Sequence, residues 1–154
     1  MSTENRPVNT RIAFALAALL VPAAAQADPF CDTLKSVLAA GEEAKPFTSL
    51  RTGGATADLQ GASTKTFPGF KCGISAELTR SYFTCRQPSA DGAALQASLT
   101  KQATACVGAT AKTEVDYSND TVSEIAVGAN RATTLYVRWS PSEKQVSLTV
   151  LVEE

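Results

Sequence analysis

Cys31, Cys72, Cys85 and Cys106 each fall in phase with apolar neighbours, on segments well separated along the chain. Any fold this chain adopts must therefore bring four inward-facing sulfurs towards one interior. The gaps between them are 41, 13 and 21 residues, with no Cys-x-x-Cys. That spacing suits neither a zinc knuckle nor a thioredoxin-type redox pair. The chain has no histidine, so a zinc site would need four thiolates or thiolates mixed with carboxylates.

The N-terminus indicates the redox compartment. Residues 1–11 are mostly polar and carry Arg6 and Arg11 against Glu4; Ile12 to Val21 is an unbroken apolar run; Pro22 breaks it, and Ala25-Gln26-Ala27 is a small-x-small end. This describes a Sec-type signal peptide cleaved after Ala27. The apolar run is about half the ~20 residues a membrane-spanning helix needs. Phe30 before Cys31 disfavours a lipid anchor, and the alanine-rich style favours a periplasmic over a generally secreted product. Residues 28–154 then form one domain, with 12 basic and 14 acidic residues. That balance gives no footprint for nucleic acid, and no second stretch is apolar enough to span a membrane.

An even cysteine count in an exported chain implies two disulfides. Cys31–Cys106 with Cys72–Cys85 is the favoured pairing; Cys31–Cys72 with Cys85–Cys106 is the alternative.

Periodicity places these cysteines on elements. Asp28-Pro29 opens a helix over 29–40, in which Phe30, Cys31, Leu34, Val37 and Leu38 repeat at helical spacing and Gly41 is a stop. Residues 47–51 read as a short strand, and 52–64 as a flexible glycine-containing loop. Pro68-Gly69 suits a type II turn. Beyond it, Phe70 to Ala76 and Arg80 to Arg86 alternate as two strands, and a reversal at Leu78-Thr79 sets Cys72 opposite Cys85. Pro88-Ser89 leads into a helix over 90–107 with Leu95, Leu99 and Cys106 on one stripe, ended by Gly108. Four strands follow. A hairpin centred between Ser142 and Glu143 pairs 139 with 146, 137 with 148 and 135 with 150, so every apolar residue meets another on the same face. The order helix, strands, helix, strands hints at a faint duplication. The expected fold is α+β: an antiparallel sheet with two helices packed on one face, stapled by disulfides.

The residues exclude much chemistry. Without histidine, Ser-His-Asp, Cys-His and most zinc hydrolase designs are out of reach, and paired cysteines leave no thiol nucleophile. No cofactor is implied. Gly53-Gly54 lacks the Gly-Lys-Ser/Thr of a phosphate loop. Asp116-x-Ser118-x-Asp120 starts like a calcium loop, but Thr121 and Val127 stand where the EF-hand needs glycine and glutamate; a hairpin turn explains it better.

One surface feature stands out. Lys71, Arg80, Tyr82 and Arg86 point away from the core on their hairpin, and Tyr136 and Arg138 do so on a later strand. If those strands adjoin, they make a basic-aromatic patch of residue types enriched at interaction hot spots. Polar residues are also what any open sheet face requires. The favoured expectation is a non-enzymatic binding module of inhibitor or immunity type, holding another exported or envelope protein. The alternatives are a carboxylate-based hydrolase of cell-wall glycans and a small-ligand carrier.

Overall fold

The computed structural model describes residues 28–52, 60–128 and 130–154. The expected signal peptide, residues 1–27, lies outside the described residues, as does 53–59, the middle of the expected loop.

The elements are α1 (Pro29–Gly41), β1 (Gln60–Ala62), β2 (Lys71–Ala76), β3 (Arg80–Pro88), α2 (Gly92–Val107), β4 (Lys112–Val115), β5 (Thr121–Ala126), β6 (Thr133–Ser140) and β7 (Gln145–Glu153). Among the described residues the strands form one seven-stranded antiparallel sheet in the order β1-β2-β3-β7-β6-β5-β4. Both helices pack on one face of it, and β7 is the central strand.

Strict alternation builds the two faces. Along β7, Val146, Leu148, Val150 and Val152 are buried, while Ser147, Thr149 and Leu151 between them are partly exposed. The β6–β7 register pairs Trp139 with Val146, Val137 with Leu148 and Leu135 with Val150, as the apolar pattern requires. A slip of one residue would turn both sets to solvent. On the helical side, Leu34 and Val37 of α1 and Leu99 and Ala103 of α2 close the core over these residues and over Phe83 and Ile125.

Three helix boundaries have a local cause, while Gly41, the expected stop of α1, is itself the last helical residue and Glu42 caps it in a right-handed conformation. The Asp28 carboxylate accepts a hydrogen bond from the Phe30 amide at 3.0 Å, with Pro29 at the first helical position. Gly108 ends α2 at φ +66°. Helix α2 begins at Gly92, two residues later than expected, because Pro88 is the last residue of β3 and pairs with Gln145. Its buried stripe is Gly92, Gln96, Leu99 and Ala103; Leu95 and Cys106 lie partly buried beside it. Gln96 is invisible to an apolar count but is buried with its amide satisfied. It donates to the Ser123 hydroxyl at 2.7 Å and the Val137 carbonyl at 3.2 Å, tying α2 to β5 and β6.

Two expectations are corrected here. Residues 47–51 form no strand: Thr48–Leu50 is a 3₁₀ turn, and Arg51 makes only an isolated bridge to Ser63. Phe47 takes a left-handed conformation, φ +62°, and its ring is fully buried 6.1 Å from that of Phe83. Left-handed backbone costs about 1–2 kcal/mol, and burying a phenylalanine returns about 1.5–3 kcal/mol, so the ring decides the conformation. In the same region the expected loop ends early, since Gln60–Ala62 pairs with Gly73–Ser75 as β1.

The disulfides are Cys31–Cys106, joining α1 to α2 with Cα atoms 5.4 Å apart, and Cys72–Cys85, across the β2–β3 hairpin with Cα atoms 4.0 Å apart. The strand order does not contradict the suspected duplication: β1-β2-β3 and β7-β6-β5 lie on either side of the antiparallel β3–β7 pair, as a two-fold axis normal to the sheet would place them, with β4 added at one edge.

Candidate binding face of the sheet

Among the described residues the helices cover one side of the sheet and leave the other open, so every second residue of each strand is displayed there. Registers place these residues in rows across the strands. One row runs Lys71, Arg86, Ser147, Arg138, Val122; the next runs Gly73, Thr84, Thr149, Tyr136, Glu124; a third runs Ser75, Tyr82, Leu151, Thr134. Strands β3 and β6 do not adjoin, because β7 lies between them. The intervening residues are short, however, so Ser147 and Thr149 form a floor between longer walls. The result is a trough of about 780 Å³ lined by Tyr82, Thr84, Arg86, Tyr136, Arg138 and Thr149 among others. Adjacent strands are ~4.8 Å apart, which sets the Arg86 and Arg138 backbones about 10 Å from each other across this floor.

A second depression of about 470 Å³ adjoins it over β1 to β3 and shares Thr84 and Arg86 as lining. Gly61, Gly73 and Ser75 line it, with Lys71 at its rim. Of the six expected patch residues, Tyr82, Arg86, Tyr136 and Arg138 therefore line one trough and Lys71 continues it. Arg80 stands apart at the sheet's end, exposed and 3.4 Å from Glu153. The proximity of the Tyr82 hydroxyl first, and then the charge of Glu153, holds Arg80 above the usual guanidinium value.

Arg138 is the fixed cation of the face. Its guanidinium donates to Asp120 Oδ2 through Nε at 2.6 Å and through Nη2. Asp120 is 1% exposed, so this carboxylate is held under the arginine rather than offered to solvent. The bond to Asp120 raises the Arg138 pKa above its ordinary value against a smaller desolvation effect. The turn before β5 delivers Asp120: Asp116 Oδ1 accepts from the Ser118 amide at 2.8 Å and the Asp120 amide at 3.1 Å, and Asn119 sits at φ +68°. The acidic turn that resembled a calcium loop is thus the anchor for an arginine on the neighbouring strand β6. Tyr136 is partly sunk in the face. Burial, then the nearby charge of Glu124, lifts its phenol above the ordinary value.

Sequence reasoning missed Asp120 as the partner of Arg138, and Ser147 and Thr149 as the floor. The signal for the floor lies in the outward phase of β7, where Ser147 and Thr149 are short side chains between the buried Val146, Leu148 and Val150. Among the described residues no group of three or more cysteine, aspartate or glutamate side chains could hold a metal ion. No helix among them is long and apolar enough to cross a membrane. Comparison of the chain with protein-family models, with curated proteins and with solved structures gives no match.

Proposed function

We propose that the protein is an exported, non-enzymatic binding module of inhibitor or immunity type that holds another exported or envelope protein against the helix-free face of its sheet. The observation that carries this reading is the trough itself. Two tyrosines and two arginines converge over a floor of short side chains on a sheet whose other face is fully occupied by the core. Tyrosine and arginine supply most interface energy where they are held in place. Here Arg138 is held by Asp120 and Tyr136 by its partial burial, so little ordering entropy would be lost on binding.

Export rests on the signal-like residues 1–27 and on two disulfides, which persist in oxidising compartments. The glycan hydrolase reading draws less support. It needs two free carboxylates about 5–9.5 Å apart, whereas Asp120 is engaged by Arg138 and Asp116 by its own turn, which leaves Glu143, among the described residues, as the one unengaged carboxylate of the trough lining.

The test is affinity capture from envelope extract with the oxidised protein and with Tyr82→Ala, Tyr136→Ala and Gln102→Ala. Gln102 is exposed on α2, away from the trough. Retention of one partner by the parent protein and Gln102→Ala, with loss in both tyrosine variants, is the expected pattern. Equal capture by all four would refute the assignment to this face.

A further inference from the structure

We infer, resting on the reading above, that the partner presents an acidic extended segment, and that Lys71 and Arg86 receive its carboxylates. These two cations stand directly opposite each other in the β2–β3 register. Like charges in that position destabilise a sheet, so the pair is a cost to the isolated fold. Among the described residues no carboxylate lies within ion-pair distance of either. Of the carboxylates in and beneath the trough, Asp120 is engaged by Arg138 and Asp116 by its own turn, while Glu143 at the β6–β7 end of the lining makes no ion pair with either cation.

The positive pair is an island on a chain of net charge −1, so it is local recognition rather than general stickiness for anions. The surface beside it admits a backbone. Gly73, Thr84 and Thr149 make a low row next to Lys71 and Arg86, and that row runs across the strands until Tyr136 closes it. An extended segment lying along the row would place its acidic side chains against the two cations and its flank against Tyr82. Arg138 plays a different part, since its charge is already met by Asp120.

The probe is a fluorescein-labelled decapeptide of alternating glutamate and serine, titrated by polarisation against the purified oxidised protein at low and at physiological salt. A lysine–serine peptide serves as the control. Binding of the glutamate peptide alone, weakening with salt, is expected. Lys71→Gln and Arg86→Gln should each weaken it by about fivefold, and the double variant should abolish it. Both side chains are exposed, so folding should survive, and far-ultraviolet circular dichroism checks this. Carbodiimide coupling of the peptide to the unaltered protein gives a second readout independent of any variant: the adduct should map to Lys71. No binding at low salt, binding that survives the double variant, or adducts confined to Lys35 and Lys101 would each overturn the inference. If a protein partner is still captured in a Tyr82- and Tyr136-dependent manner while the peptide results are negative, only the acidic specificity falls. If neither occurs, the face reading falls with it.

Discussion

Replacing both ends of the helix–helix link, Cys31→Ala with Cys106→Ala, isolates what a cross-link does to the unfolded chain. Both residues are half-buried, so truncation leaves little cavity and the native packing should persist. They are 75 residues apart. The hairpin link spans 13 residues and is nested inside that loop, so in the oxidised unfolded chain it shortens the outer loop to about 62 residues. Loop-closure entropy at that length corresponds to about 4.3 kcal/mol at 25 °C. The inner loop alone corresponds to about 2.9 kcal/mol. Opening the inner loop lengthens the outer one and changes its contribution by only about 0.2 kcal/mol, so the two losses should be nearly additive. A domain of this size is stable by only about 5–15 kcal/mol, so losing the outer link removes a large share. The assay is urea unfolding at 25 °C, where a slope of about 1–3 kcal/mol per molar turns the loss into a midpoint fall of roughly 2 M. The slope itself should rise, because the unlinked unfolded chain expands. The pair Cys72→Ala with Cys85→Ala should lose its 2.9 kcal/mol plus a packing penalty, because Cys85 is fully buried. A loss below about 1 kcal/mol for the helix link, with an unchanged slope, would refute the chain-entropy argument.

Arg138→Ala should destabilise by about 1–3 kcal/mol, because it removes the partner of the buried Asp120 carboxylate while opening a path for water from the half-exposed arginine side; a double-mutant cycle with Asp120→Ala should recover part of that loss, and simple additivity would contradict the pairing. Gly92→Ala would set a methyl group against the Trp139 ring and should cost about 1–3 kcal/mol. Since Trp139 is the chain's one tryptophan, its emission spectrum must shift as well, and unchanged fluorescence would show that the helix start does not rest on that ring. The raised pKa of Tyr136 means that the folded state keeps this proton longer than the unfolded chain. Its stabilising contribution is complete below the ordinary tyrosine pKa of ~10 and is lost as pH rises through the higher folded value. Ultraviolet titration should therefore contain a late phenolate component that Tyr136→Phe removes; an identical titration curve in the variant would exclude the burial effect.

The parts of this fold legible in sequence were those governed by period and by pairing within a hairpin. Alternation from Leu135 to Val152 determined the β6–β7 register, and counting across Leu78-Thr79 placed Cys72 opposite Cys85. Once that pair was assigned, Cys31 and Cys106 followed as helix partners. What stayed hidden depended on neighbours distant in sequence. Phe47 left the expected strand because Phe83 offers its ring a place in the core. Gln96 reads as a surface residue until Ser123 and the Val137 carbonyl meet its amide. The outward phase of Tyr82, Arg86, Tyr136 and Arg138 was evident from their own strands. Their distance apart was not, because the insertion of β7 between β3 and β6 is a property of strand order, which no local pattern encodes.

Site-specific photo-crosslinking tests the central claim most directly. A benzophenone side chain at position 149, in the middle of β7 on the open face, should form a discrete adduct with the exported partner in envelope extract. The same group at position 102, on the exposed side of α2, should form none. Adducts from position 102 alone, or from neither position when a partner is known to be retained, would contradict the account.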